Sequence, residues 1–470
     1  MILKKSKYTR IAKVIDDVFL LYNIASGSEC LISSQEKVWL ESEDYSDTPF
    51  FGELYNLGIL VDARVDEESC LELERKINAY SKIRTDFGLV IAPTMDCNAR
   101  CFYCYENETR KNLYMDEATK ETLINYILRN AKGKKKVFLS WFGGEPLLCS
   151  RLIREVSKPV IAYCQENDIE YEAELTTNGF YIDRILDSMS ELCIQDTQIT
   201  LDGFADEYEA RKKYVDGTNS WNKVVSNIFD ASISGNHITI RMNFDKRNIA
   251  SIKEATAYLL GDSRWNNNIS IYYYPLEPCG ECIDESIFYS EDEYESALTD
   301  LYLNLYHLHY YDTHRRALDF TRMSLPCYGG TLATVADYSG SLYQCQHLLC
   351  REEFAIGNLT DGVIINRTVL DWYDGSLPKS CRGCDVLPLC QGGCVTKRNL
   401  GQDKYLCHMS KYRISIIEKI KTAYYKAELL NEGGVSNDRY KKKGKCHKDG
   451  ADYSRQHPEQ LPRALSRTLP

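Results

Sequence analysis

Pro93-Thr94-Met95-Asp96-Cys97-Asn98-Ala99-Arg100-Cys101-Phe102-Tyr103-Cys104 sets three cysteines at x3 and then x2 spacing, directly after an apolar run that reads as a strand over Gly88–Thr94. Three thiols this close along one loop can converge on a single metal centre. Soft thiolate sets select zinc or an iron–sulfur cluster. Three ligands rather than four is the informative count. A four-iron cluster held by three cysteines keeps one iron open to an outside ligand, much as a catalytic zinc site keeps a free position. A structural zinc site completed by a fourth residue elsewhere is the competing reading.

Downstream of this loop, strand and helix patterns alternate. Strand candidates are Val137–Trp141, Tyr171–Thr176, Gln198–Leu201, His237–Asn243 and Ile269–Tyr274. Helical periodicity fills the intervals at Glu117–Ala131, Arg151–Glu166, Trp221–Ser232 and Ile252–Leu260. Six strands alternating with helices predict an α/β fold with a parallel sheet, open or curled into a partial barrel, whose active site collects at the C-terminal strand ends. The suggestive residues fall there: Trp141-Phe142-Gly143-Gly144-Glu145-Pro146, Thr176-Thr177-Asn178-Gly179, Thr200-Leu201-Asp202-Gly203 and Arg241-Met242-Asn243.

Cys97, Cys101 and Cys104, with Tyr103 before the last cysteine, resemble the signature of the radical S-adenosylmethionine (SAM) enzymes. Gly143-Gly144-Glu145 is similar to that family's GGE motif, where exposed backbone and a carboxylate hold the methionine amino group and glycine permits close approach. The resemblance covers residues 93–248. It implies a partial (β/α)6 barrel and a four-iron cluster on the three cysteines. It also implies SAM contacts among Tyr103, Gly143, Gly144, Glu145, Thr177, Asn178, Thr200 and Arg241. It singles out no catalytic side chain.

A second array follows: Cys327, Gly340 after twelve residues, Cys345 after four, then Cys381-x2-Cys384-x5-Cys390-x3-Cys394, and Cys407 twelve residues on. Paired zinc knuckles would use Cys-x2-Cys as well. The seven-cysteine order resembles the SPASM domain, which implies two auxiliary four-iron clusters and three in all. By that resemblance Cys327, Cys345 and Cys394 hold the first auxiliary cluster, and Cys381, Cys384, Cys390 and Cys407 hold the second. Cys350, Cys279 or Cys282 could supply the missing ligand of the first, or the position could stay open to substrate. Cys30, Cys70, Cys149, Cys164 and Cys193 are expected as small buried hydrophobes.

Residues 1–85 contain a strand pair, Val18–Asn23 and Glu29–Ile32, joined across Ser26-Gly27, and a helical stretch from Phe51 to about Gly58. The region resembles the RiPP recognition element, a small winged-helix-like α+β domain to which a leader peptide adds a strand. The expected organisation is that domain at 1–85, the barrel at 86–316, and a loop-rich SPASM domain at 317–430. The last ends in an amphipathic helix over Tyr412–Leu430, and a disordered tail occupies 431–470.

Composition limits the partners. The 470 residues carry 57 Lys/Arg against 68 Asp/Glu, a net charge of −11, and the final forty hold nine basic and five acidic residues, so the body is more acidic still. Such a surface repels phosphate backbones, which argues against nucleic acid. The absence of a long apolar run or signal core argues against a membrane span and for the cytoplasm. Nineteen cysteines without an export signal favour metal binding over disulfides.

The resemblances together imply a radical SAM/SPASM peptide maturase that installs a crosslink, in the first instance a Cys thioether, in a ribosomal precursor peptide. Its leader would sit on the N-terminal domain, and a flavodoxin or ferredoxin would supply electrons. An anaerobic sulfatase-maturing activity, oxidising Cys or Ser to formylglycine, is the alternative. It is disfavoured because Gln346 stands where that family has an Asp base after the cysteine. A non-enzymatic zinc scaffold is the alternative of another class.

Overall fold

The computed structural model describes residues 2–43, 45, 49–107, 109–277, 284–318, 333–366, 369–370, 377–399 and 406–431, with backbone alone for 406–410. They fall into two compact units, one drawn from 1–78, 309–326 and 376–470 and the other from 79–308 and 327–375.

In the second unit, strands β6 (Asp86–Ile91), β7 (Lys136–Trp141), β8 (Glu170–Thr177), β9 (Ile194–Thr200), β10 (His237–Phe244) and β11 (Ile269–Pro275) run parallel. Each pairs with the next in chain order. That sequential order belongs to a barrel rather than to a sheet that reverses direction at a switch point. The intervening helices include α4 (Glu117–Ala131), α5 (Ser150–Glu166), α6 (Ala205–Lys212), α7 (Trp221–Ile233) and α8 (Ile249–Gly261). Alternation along each strand separates two faces. Leu89, Leu139 and Ala173 align in register and are fully buried. On the other face side chains bond across strands: Ser140 donates to Glu174 Oε1 (2.7 Å) and the Tyr272 hydroxyl to Gln198 Oε1 (2.8 Å).

Two expectations change here. The first strand stops at Ile91, because Pro93 and the Thr94 hydroxyl, which donates to Leu113 O at 2.7 Å, open the cysteine loop. Residues 333–363 are not simply loop: β12 (Ala333–Ala336) adds parallel to β6, and β13 (Ser341–Tyr343), β14 (Gly357–Asn358) and β15 (Gly362–Val363) continue antiparallel. One ten-stranded sheet results.

In the first unit, β2 (Thr9–Ile15), β3 (Val18–Asn23) and β4 (Glu29–Ser33) form an antiparallel sheet in that order, with β4 as an outer strand. The β3–β4 pair is the one read from sequence. Helix α1 (Ser34–Glu41) begins at a capping box between Ser33 and Glu36. Helix α3 (Glu67–Thr85) follows a short strand, β5 (Leu60–Asp62), that pairs with β1 (Leu3–Lys5). The C-terminal helix runs Leu406–Asn431, six residues earlier in its start than the periodicity of Tyr412–Leu430 indicated. Its Ile414 and Ile417 share one apolar core with Tyr8, Leu20 and Tyr22 of the N-terminal region and with Val386, Leu389 and Cys390.

Of the five cysteines expected to be buried, only Cys164 is; Cys70 is exposed on α3, and Cys30, Cys149 and Cys193 are partly exposed. Thiols tolerate a strand edge or a helix surface as readily as a core, so residue type alone misplaces them. No described helix is long and apolar enough to cross a membrane. Cys279, Cys282, Cys327, the Cys407 side chain and the proposed tail lie outside the described residues.

Candidate metal centre and cofactor site

The cysteine loop leaves β6 and is held on two sides. Residues 213–215 run along it: Arg100 N donates to Lys213 O (2.8 Å), Val215 N to Asn98 O (2.9 Å), and Ala99 bridges Tyr214. On the other side lie Gly143 and Gly144, after β7. Gly143 sits at φ +107°, and a Cβ there would stand 2.6 Å from Thr94 O; a Cβ on Gly144 would stand 2.2 Å from Asp96 O. No side chain fits at either position. The glycines' close approach is therefore to the cysteine loop itself. It is sealed by Gly144 N to Thr94 O (3.2 Å) and Glu145 N to Asp96 O (2.8 Å).

Glu145 is fully buried rather than exposed. Its carboxylate accepts from Leu147 N (3.0 Å), the Thr177 hydroxyl (2.7 Å) and Asn178 N (2.8 Å), so it ties the end of β7 to that of β8. Burial pushes its pKa up, opposed by those donors and by Lys212. The Asn178 amide donates to Asn98 Oδ1 (2.8 Å) and lies 3.9 Å from Cys97 Sγ. Tyr103 donates its hydroxyl to Asp202, a fully buried carboxylate that also accepts from Asn243 N (2.8 Å). Thr200 and Arg241 are register partners on β9 and β10. Arg241 Nε donates to Asn243 Oδ1 (2.8 Å), and its guanidinium lies 4.2 Å from the Tyr274 ring centroid. Thus Tyr103, Gly143, Gly144, Glu145, Thr177 and Asn178 gather around the loop, while Thr200 and Arg241 stand side by side at neighbouring strand ends.

Burial pushes the Cys97 thiol up to about 12 and the Cys104 thiol to about 11, and raises Cys101 as well; each of the three feels at least one of the others' charge or that of a nearby carboxylate. Among the described residues no three His, Cys, Asp or Glu side chains gather as they would around a single metal ion. A bound cationic centre would supply the charge that these buried thiols need in order to ionise. Sulfur-only donors, three in number and on one loop, fit a four-iron cluster with one open iron.

Three residues escaped the sequence reading. Lys212, the last residue of α6, is 3% exposed, with no carboxylate at ion-pair distance among the described residues. Cys101 and Asp202 are its strongest electrostatic neighbours after the cost of burial. A buried cation in that position is a seat for an anionic group. Arg211, beside it, pairs with Asp245 (2.8 Å) and Glu207 (3.2 Å), and its guanidinium lies 5.0 Å from the Phe102 ring centroid. Glu106, two residues past Cys104, is buried and pushed by burial to about 7.

Comparison with known proteins bears on the domain that carries this loop. Residues 91–259 match the Radical SAM superfamily. The chain carries a radical SAM domain. That domain marks the chain as an enzyme and supports SAM and a four-iron cluster as its cofactors. A serine-type anaerobic sulfatase-maturating enzyme of Klebsiella aerogenes is 23% identical over 345 residues, 66% of this chain and 80% of that one. A GTP 3′,8-cyclase of Lactiplantibacillus plantarum is 30% identical over 150 residues, 31% of this chain and 42% of that one. The structure of anSMEcpe with bound AdoMet superposes with a TM-score of 0.56 at 16% identity, covering 73% of this chain and 99% of that one. That likeness establishes the fold.

The auxiliary cysteines are placed in part. Cys381, Cys384 and Cys390 pack against the shared core of the first unit. Cys394 is buried in that unit and Cys345 lies in the other. Cys350, at φ +59°, directs its thiol to Asp337 Oδ2 at 3.8 Å. The Tyr105 ring, next to Cys104, lies against that of His347, two residues past Cys345, at 4.7 Å between centroids and tilted by 40°.

Proposed function

We propose that this radical SAM enzyme matures a ribosomally made precursor peptide by installing a crosslink, in the first instance a Cys thioether. The reading rests chiefly on one observation: a three-thiol loop at the parallel strand ends shares its chain with a cysteine-bearing unit that contains an N-terminal sheet with an outer strand. When bound, the first cluster and SAM supply a 5′-deoxyadenosyl radical that takes hydrogen from an unactivated carbon. The chain's part is positional. Gly143, Gly144 and Glu145 fix the cysteine loop to the strand ends. Asn178 reaches toward the Cys97 sulfur, and Tyr103 is tied to Asp202. Lys212 offers positive charge to an anionic cofactor group, and Thr200 and Arg241 offer polar contacts to SAM.

A peptide substrate is supported by the likeness to the sulfatase-maturating enzyme and to anSMEcpe, which has also been seen with AdoMet and the Cp18Cys peptide bound. Two further clusters, on Cys327, Cys345 and Cys394 and on Cys381, Cys384, Cys390 and Cys407, would accept the electron released as the new bond closes, with a flavodoxin or ferredoxin as donor. The leader would pair with β4, next to Val38 and Trp39 of α1, which are 57% and 48% exposed.

The test is the mass of a Cys-containing precursor peptide after anaerobic co-expression, with thiol alkylation of the digest. Loss of two hydrogens with matching loss of alkylatable thiols is expected. The same mass loss with every thiol free moves the bond to carbon–carbon or carbon–oxygen. An unmodified peptide beside an enzyme that cleaves SAM overturns the maturase reading and favours sulfatase-type chemistry.

A further inference from the structure

The turn after β8, Thr177-Asn178-Gly179-Phe180, meets the cysteine loop with its polar groups fixed. Asn178 N donates to Glu145 Oε2 (2.8 Å), and the Asn178 side-chain Oδ1 accepts from Phe180 N (3.0 Å). Gly179 N donates to the Thr177 hydroxyl (3.1 Å). Asn227, buried on α7, donates to Gly179 O (2.8 Å) and Phe180 O (3.3 Å). Gly179 stands at φ +84°, and a Cβ there would lie 2.9 Å from Ile199 Cγ2. These contacts hold the turn in one shape.

The Phe180 bond decides which way the Asn178 amide points. With Oδ1 taken as an acceptor, the nitrogen end must turn to the loop. One of its N–H groups donates to Asn98 Oδ1 (2.8 Å), and the other is left to Cys97 Sγ, 3.9 Å from the nitrogen. Ala99 N reaches the same sulfur at 3.4 Å. Because Asn98 spends its oxygen on Asn178, its own nitrogen turns away, and that Nδ2 is buried with no partner among the described residues. A buried donor without an acceptor is costly, and an anionic sulfur centre is the acceptor this loop gains when loaded.

We infer that the Asn178 side-chain amide donates a hydrogen bond to the Cys97 sulfur of the loaded first cluster, and is a positioning residue that raises the potential of that centre. A neutral thiol accepts weakly, whereas a bond to a thiolate ligand is charge-assisted, shorter and stronger. A donor at a ligand sulfur favours the more negative, reduced state. Both side-chain N–H groups of Asn178 are then committed, to Asn98 and to Cys97, which leaves none to offer SAM. The inference rests on Cys97, Cys101 and Cys104 holding the cluster and does not depend on which bond the enzyme makes in a peptide.

The experiment is a redox titration of the reconstituted full-length enzyme by electron paramagnetic resonance, following the signal that responds to added SAM. Wild type is compared with Asn178→Leu, which removes the amide at similar volume, and with Asn178→Asp, which keeps the acceptor for Phe180 N and removes only the N–H groups. Both midpoints should move negative, by about tenfold in the reduced-to-oxidised ratio at a fixed potential, or about 59 mV for one electron. One exchangeable-proton coupling of the cluster should also be lost in electron–nuclear double resonance. Wild-type midpoints with every coupling kept would overturn the inference. Loss of this centre's iron from the variants, with the melting temperature of the iron-free chain unchanged, would support the contact as one that holds the cluster. The same loss with a lowered melting temperature in both variants would reduce Asn178 to a folding role and overturn it. Cys97→Ala separates the two claims: if its SAM-responsive signal equals wild type, the cluster assignment itself fails.

Discussion

Glu106 shows what burial does to a single group. Its folded pKa of about 7 stands above the ordinary 4.5, so the unfolded chain ionises first as pH rises. Stability is lost between about pH 4.5 and 7 and stays lost above, a penalty of roughly 3 kcal/mol. Glu106→Gln should therefore shrink the difference in unfolding free energy of the iron-free chain between pH 5 and pH 8 by about that amount, as urea titrations at the two pH values would show. An unchanged difference would mean that Glu106 is not buried as described. Gly144 is a steric counterpart. With 2.2 Å available to a Cβ, Gly144→Ala must displace Asp96 and the cysteine loop. We expect it to lose the roughly four irons of the first centre while keeping iron at the C-terminal cysteines, measured by metal analysis. The loop that carries Cys97, Cys101 and Cys104 was legible because three cysteines at this spacing stand out by residue type alone. The burial of Lys212 and Glu106 was not, because a charged residue in sequence carries no mark of being buried.

At the scale of elements, the parallel strands were legible from their apolar runs, to within a few residues at each end. Strand β2, Thr-Arg-Ile-Ala-Lys-Val-Ile, was missed: its polar positions mask the alternation, and Arg10 finds its partner in Asp385. Strands β12–β15 were missed because two to four residues among Gly and Ser carry too little periodicity. The shared core has a consequence for deletion. Removing residues 1–85 would strip Tyr8, Leu20 and Tyr22 from Ile414, Ile417 and Cys390. Such a deletion should aggregate or lose auxiliary iron, and so cannot report peptide binding cleanly. Trp39→Asp is the cleaner probe. It should weaken precursor affinity about tenfold or more by calorimetry without lowering the melting temperature, because Trp39 is half exposed. Unchanged affinity would remove α1 from the leader site.

For the whole molecule, a radical SAM barrel alone is common to many chemistries, and fold does not fix function. Besides the barrel this chain has a cysteine-bearing unit whose core includes residues of its N-terminal region. Three clusters predict roughly twelve irons and matching labile sulfide per chain, whereas stoichiometric zinc without sulfide would contradict the cluster account. The most direct measurement of the central claim follows the abstracted hydrogen. The anaerobically reconstituted enzyme is given SAM, a reductant and a precursor peptide deuterated at its carbon-bound positions. The account predicts deuterium in the 5′-deoxyadenosine and a peptide short by one carbon-bound deuterium and one exchangeable hydrogen per crosslink. Deuterium-free 5′-deoxyadenosine beside an unaltered peptide would contradict it.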